Sequence, residues 1–252
     1  MLGCFYRKFF HMKVDKDLLE EHGMVSSFGY VADFVYGGID GAITTFAVVA
    51  GVVGAELSLP VILILGFANL FADGFSMSIG KYLSEKATLE QYHKIRSIEF
   101  KHLKEKEKKE KSEVVEILTD YGFRGNDLER ATEIITSNPE AWVDIMMKNE
   151  FHVADENINP LKGAMTTFIS FIIVGFIPLL GYTGKAFLPF TNDQVFIFSA
   201  VLTLVALFIV GAVKSKFSLK SWLVSGFETA MIGGFAALIA YLIGFFLKGI
   251  VG

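Results

Sequence analysis

With 252 residues, 52% of them hydrophobic, and a mean hydropathy of +0.48, the chain is too apolar to be an ordinary soluble domain. The formal charge of −4 says little, because acidic and basic residues gather in one polar segment, and nothing points to nucleic acid. The lone cysteine, Cys4, excludes an intrachain disulfide and suits a reducing compartment.

Residues 1–27 carry Arg7, Lys8, Lys13 and Lys16 with His11 and His22, and lack the unbroken apolar core of a secretory signal. Five apolar stretches follow, near 31–55, 60–82, 163–184, 193–213 and 223–247, each long enough to cross about 30 Å of hydrocarbon. The fold class is therefore an all-α protein of the lipid bilayer, with five transmembrane helices and a helical insert between the second and third. Fourteen Lys and Arg lie from Lys81 to Lys162, and Lys214, Lys216 and Lys220 fill the loop between the fourth and fifth spans. Only Lys185 and Lys248 fall on the other side, so the amino terminus and the insert are expected in the cytoplasm and the carboxy terminus outside.

The first pair of spans, residues 28–83, holds the charges that matter. Asp40 lies inside the first apolar stretch, and the second carries Asn69, Asp73 and Met77 at four-residue spacing, on one helix face. A carboxylate near the middle of a membrane helix costs roughly 2.5–3.5 kcal/mol and is seldom kept without a partner, an ion or a proton path. Antiparallel helices joined by a short loop place Asp40 about 9 Å, Asp73 about 12 Å and Met77 about 6 Å from the same membrane face. Oxygen ligands beside a thioether suit a borderline transition metal, Fe²⁺ or Mn²⁺, better than Mg²⁺ alone. On the competing reading Asp40 pairs locally near the interface and Met77 fills a packing gap. Gly37, Gly41, Ala47, Gly51 and Ala55 let helices approach closely, either across a dimer or within one chain.

The insert, residues 84–160, is too long for a loop. Ser84 to Tyr121 has neither Pro nor Gly and is rich in Glu, Lys and Leu, so the second span should continue as one helical stalk until Gly122 and Gly125. Asn126 or Asp127 then caps a short helix ending near Ser137, and Asn138 caps a third that starts at Pro139 and reaches about Val153. Glu99, His102, Glu110 and Glu113 fall on the stalk, with Met146, Met147 and Glu150 on the third helix. Spacings of three and four let neighbours present two ligands together. On the blander reading, Glu alternating with Lys from Lys101 to Lys111 forms a solvated face. Glu99-Phe100-Lys101-His102 also spells Glu-x-x-His, the di-iron carboxylate motif, but a ferroxidase needs a second copy, which only a dimer could supply.

In the last three spans, residues 161–252, Gly175 and Pro178 should kink the third, and Gly233–Gly234 should let the fifth approach a neighbour. No phosphate-cradling loop, Gly-x-Ser-x-Gly or His-Glu-x-x-His occurs, so neither a nucleotide-driven pump nor a common hydrolase is indicated.

Two stretches carry a family likeness. Asp33-Phe-Val-Tyr-Gly-Gly-Ile-Asp40-Gly-Ala-Ile-Thr-Thr-Phe, followed by Ala68-Asn-Leu-Phe-Ala-Asp-Gly-Phe-Ser-Met77-Ser-Ile-Gly-Lys-Tyr-Leu-Ser-Glu-Lys, resembles the vacuolar iron transporter family. The resemblance runs from about Tyr30 to the end of the chain. It implies a homodimer with a path between protomers lined chiefly by the first span, and exchange of cytoplasmic Fe²⁺ for protons. Asp40 and Met77 match the family's intramembrane metal positions. Glu99, Glu110, Glu113, Met146, Met147 and Glu150 fall where members with the insert bind metal. Two positions depart from the pattern: Asn69 and His102 stand where a Glu is typical. Asp73, one turn from Asn69, could restore that charge about 6 Å deeper toward the cytoplasm. An imidazole at position 102 keeps metal chemistry but should weaken binding at about pH 6 to 7.

The function expected is therefore export of Fe²⁺ from the cytoplasm against protons, with Mn²⁺ or Zn²⁺ as further cargo and no enzymatic activity. The membrane would be the plasma membrane in a prokaryote and the vacuolar membrane in a eukaryote. A membrane-bound ferroxidase and a metal sensor that binds without transporting are the alternatives.

Overall fold

A computed structural model describes residues 28–149, 151, 159–185 and 190–251. Residues 1–27, Glu150 and the stretch 152–158, where the third insert helix was expected to end, lie outside the described residues. Every regular element described is helical, and five helices are long and apolar enough to cross a membrane. The chain is an integral, multi-pass membrane protein. It divides into two compact units, one of Met1–Lys81 with Leu161–Gly252 and the other of Tyr82–Pro160.

In the first unit, α1 (Phe28–Gly54) and the apolar part of α2 (Leu59–Glu105) precede the later spans. In the second unit come α3 (Glu107–Asp120), α4 (Gly125–Thr136) and α5 (Pro139–Asn149). The chain then returns to the first unit with α6 (Pro160–Gly175), the short α7 (Leu180–Thr183), α8 (Asn192–Lys214) and α9 (Trp222–Val251).

Helix α1 is the centre of the apolar unit. Over its most apolar window 56% is buried, against 22% for α2 and 17% for α9, so α1 packs against protein while the other two expose most of their apolar surface. Val49 and Val52 join Ile62 and Leu70 of α2 and Phe171 of α6 in one core; Val35 and Ala42 join Leu207 and Val210 of α8 in another. Small residues make this closeness possible. A Cβ on Gly41 would stand 2.4 Å from the Phe171 carbonyl oxygen, and one on Gly244 of α9 would stand 2.0 Å from that of Gly51. Gly37 and Gly41 therefore serve packing within one chain, against α6, and Gly51 meets α9.

The third span is broken where Gly175 and Pro178 were expected to bend it. Helix α6 ends at Gly175, a single 3₁₀ turn covers Ile177–Leu179, and α7 resumes. Proline has no N–H and its ring crowds the preceding turn, so the regular ladder cannot pass it. The buried Ser199 hydroxyl of α8 donates to the Pro178 carbonyl, satisfying an acceptor left in an apolar layer.

The stalk departs from its expected course. It is not one helix to Tyr121: α2 stops at Glu105, Lys106 takes φ −136° and ψ 31°, and α3 starts afresh. In a continuous helix His102 and Glu110 would be separated by about 12 Å of rise. Their side chains instead approach to 3.6 Å, with the helix broken at Lys106 between them. Val114 and Leu118 of α3 consequently share a core with Trp142 and Met146 of α5, against Leu103 of α2. Periodicity and the absence of Gly and Pro could not reveal this break, because burial of that apolar face overrides local helix propensity.

Gly122, at φ +97°, closes α3 in a Schellman arrangement: its N–H donates to Thr119 O at 3.0 Å, and Phe123 N–H to Leu118 O at 3.0 Å. Helix α4 then begins at Gly125 with Arg124 as its uncapped N-cap, so Asn126 and Asp127 lie inside the first turn rather than capping it. Asn138 does cap α5, accepting from Glu140 N–H at 3.1 Å.

Replacing Gly244 with Ala should lower the thermal unfolding midpoint of the detergent-solubilised protein, by about 1–3 kcal/mol of overpacking. Gly80→Ala, whose methyl meets nothing within 4 Å, should leave the midpoint unchanged or raise it by helix propensity. Equal effects of the two changes, read by circular dichroism, would contradict the backbone contact.

Candidate metal centre

Three insert side chains converge. Ligand atoms of Glu99, His102 and Glu110 all lie within 4.8 Å of one another. His102 Nδ1 is 3.6 Å from Glu99 Oε1 and 3.6 Å from Glu110 Oε1. Glu99 and His102 reach one side of α2 by their i,i+3 spacing, and across the break at Lys106 Glu110 approaches them. Glu99 is 3% exposed and Glu110 1%, so both carboxylates have lost most of their water. Glu110 Oε2 is buried with no hydrogen-bond partner among the described residues. Burial, then the charges of Glu113 and Glu99, push the Glu110 carboxyl up to about 7, against the opposing pull of His102.

Carboxylate oxygens and an imidazole nitrogen at this separation form a donor set for a borderline divalent ion such as Fe²⁺ or Mn²⁺. Glu113 pairs with Lys109 at 2.8 Å and acts on Glu110 through its charge. Met146 is fully buried in the apolar core beside Trp142, and Met147 is buried too. Glu150 lies outside the described residues. Sequence reasoning missed what holds α5 in place: Arg96 of α2 forks to Glu140, at 2.5 Å, and to Asp144, two acids one turn apart on α5. No local signal announces a pair separated by 48 residues.

In the apolar unit, Asp40 is half-buried about 18 Å of helix from Phe28. It lies within electrostatic range of Asp73 on α2. Met77 packs against the apolar cluster of Leu70 and Phe171. The Asn69 amide nitrogen is buried and has no acceptor among the described residues. A further pair was overlooked: Lys81 meets the buried Asp33 at 2.8 Å. The signal was present, since Lys81 continues the four-residue stripe of Asn69, Asp73 and Met77.

A family model for the VIT family matches residues 31–245, most of the chain and all five spans. The chain belongs to this family. Among its relatives, the vacuolar iron transporter of Toxoplasma gondii is 36% identical over 242 residues, covering 94% of this chain and 80% of the relative. Vacuolar iron transporter 1 of Arabidopsis thaliana is 36% identical over 214 residues, covering 84% of this chain and 83% of its own. The vacuolar iron transporter of Plasmodium berghei is 29% identical over 244 residues, covering 94% and 85%. A VIT-family chain is thus a relative of membrane metal transporters rather than of enzymes.

In this VIT-family chain the raised Glu110 carboxyl sets a direction for pH dependence. The folded protein holds a proton at Glu110 that the unfolded chain releases from its ordinary value of 4.5 upward. The Glu110 contribution to metal-free stability is therefore fullest below pH 4.5 and is lost as pH rises through about 7. A divalent ion entering the cluster must displace that proton, so its affinity should fall as pH is lowered from about 8 to 6. Glu110→Gln should flatten the pH slope of the metal-free thermal midpoint and weaken Mn²⁺ binding in calorimetric titration. An unaltered slope in the variant would contradict the assignment.

Proposed function

We propose that the protein exports Fe²⁺ from the cytoplasm in exchange for protons, with Mn²⁺ or Zn²⁺ as further cargo, and that it works as a homodimer. The observation that carries this reading is that Asp40 and Asp73 both lie on membrane-spanning helices and within electrostatic range of each other, where charge is costly unless an ion or proton uses it. Relatives named as vacuolar iron transporters supply the metal. The excess of Lys and Arg supports a cytoplasmic location for residues 1–27 and for the insert, 84–160, as a metal-capturing domain distinct from the spans of 28–83 and 161–252.

In this scheme Glu99, His102 and Glu110 take Fe²⁺ from the cytoplasm, assisted by Glu113, Met146, Met147 and Glu150. Asp40, Asp73 and Met77 pass it through the membrane. Asn69 is neutral, so Asp73 supplies the second carboxylate facing Asp40. A cation moving between these carboxylates relieves their mutual repulsion, and a proton taking its place does the same, which is how one site couples two ions.

Fe²⁺ entry into proteoliposomes under an imposed pH gradient tests the scheme. Wild type should show gradient-dependent flux, Asp40→Ala should abolish it, and Glu110→Ala/Glu113→Ala should reduce it at low Fe²⁺. A sensor reading draws support from the insert being a compact unit with its own donor set. It would prevail if folded wild type binds metal and carries no flux.

A further inference from the structure

The ion pair of Lys81 with Asp33 differs in kind from those of Glu228 and Glu56 in the same unit. Where they meet Lys220 and Lys248, the Glu228 and Glu56 side chains are 38% and 65% exposed, whereas that of Asp33 is only 11% exposed. A carboxylate with so little water needs a cation beside it. Lys81 brings one to 2.8 Å from the other helix, and its own side chain stays 30% exposed, a point charge on a flexible stem that reaches water.

The pair stands on the faces that carry the intramembrane acids. Asp33 and Asp40 are seven residues apart on α1, two turns and about 10 Å of rise, so they share one side of that helix. On α2, Lys81 is one turn beyond Met77 and two beyond Asp73, and it is the last residue of the apolar unit before the chain enters the insert. An ion travelling along α1 from that end passes Asp33 before it meets Asp40. It finds a cation already in place. The tethered ammonium offers Asp33 the same unit charge as K⁺ or Na⁺, and its covalent link to α2 keeps it at hand whatever the salt outside. A monovalent ion that displaced it would add no charge and would strand the ammonium without its partner. A divalent ion brings twice the charge to a carboxylate short of water, where Coulomb attraction is strongest.

We propose that Lys81 is a charge filter, a built-in monovalent counter-ion that Asp33 gives up for a divalent cation but not for K⁺ or Na⁺. That Asp33 lies on a route to Asp40 rests on the transport reading. The exchange of Lys81 for a divalent ion does not.

The test titrates Mn²⁺ into the full chain in detergent micelles, reading free ion by electron paramagnetic resonance. A Glu99→Gln/Glu110→Gln background silences the insert cluster, and one ionic strength is set either with KCl or with the chloride of N-methylglucamine, a cation too large for a buried carboxylate. Adding Lys81→Gln should tighten Mn²⁺ binding by about tenfold in N-methylglucamine, because the resident competitor is gone. K⁺ should then weaken that binding by about threefold, the factor 1 + [K⁺]/Kd for an ion present at about twice its Kd. The background protein and its Lys81→Arg variant should bind Mn²⁺ equally in both salts. Asp33→Asn added to Lys81→Gln should remove both the gain and the sensitivity to K⁺. A pair that only clasped α1 to α2 would lose stability in Lys81→Gln and gain neither property, and misfolding cannot imitate tighter binding. Lys81→Gln binding like the background protein in both salts would overturn the filter, whatever the flux in proteoliposomes. The full pattern in a protein that carries no Fe²⁺ flux would uphold the filter and overturn only the transport reading.

Discussion

The apolar unit depends on how closely α1 approaches its neighbours. Gly41 lets it reach the backbone of α6, and Gly54, with Gly244 on the other helix, lets it reach that of α9, distances that any side chain would forbid. In a bilayer, where apolar side chains gain little by leaving lipid for protein, such contact is what holds helices together. It also explains the position of Asp40. A carboxylate at the middle of a span is tolerable when its helix is enclosed by protein, and α1 is the most enclosed span. The break at Pro178 follows the same logic, since a buried serine on α8 takes the carbonyl that the irregular turn leaves over.

The insert is governed by a different balance. Its apolar core is small, and the convergence of Glu99 and Glu110 opposes it with like charge in a site where water has been removed. His102 offsets part of that repulsion, and a proton on Glu110 offsets more. A divalent cation would offset the most, because it meets both carboxylates at once and uses the orphaned Oε2 of Glu110. The Arg96 fork to Glu140 and Asp144 keeps α5 docked while these charges are in contention, and the stacking of Arg96 over the Phe100 ring, at 5.4 Å, steadies the fork. Structural acids and those of the candidate cluster are thereby separated: the former pair with a permanent cation, while the latter lie close to one another.

Much of this was legible in the residues. Hydropathy located the five spans to within a few positions, because bilayer thickness fixes their length. Helical spacing put Glu99 beside His102 and placed Asp73 in line with Met77, since three and four residues make one turn. Proline and glycine marked the interruption of the third span, and asparagine the start of α5. These are local rules, in which the residues that decide the outcome stand next to one another in the chain.

What the spacing could not contain was any meeting of distant parts. The break at Lys106 has no glycine or proline to announce it, yet across it Glu110, which in one unbroken helix would stand about 12 Å along the axis from His102, comes within 3.6 Å of the imidazole. The fork from Arg96 to α5, the ion pair of Lys81 with Asp33, and the use of the α1 glycines within one chain were likewise settled by packing. The sequence by itself determined the number of spans, their length and the donors available, because each follows from solvent and helix periodicity. Only the tertiary structure decided which donors meet, because that depends on apolar faces finding partners far away in the chain, and helix propensity yields when they do.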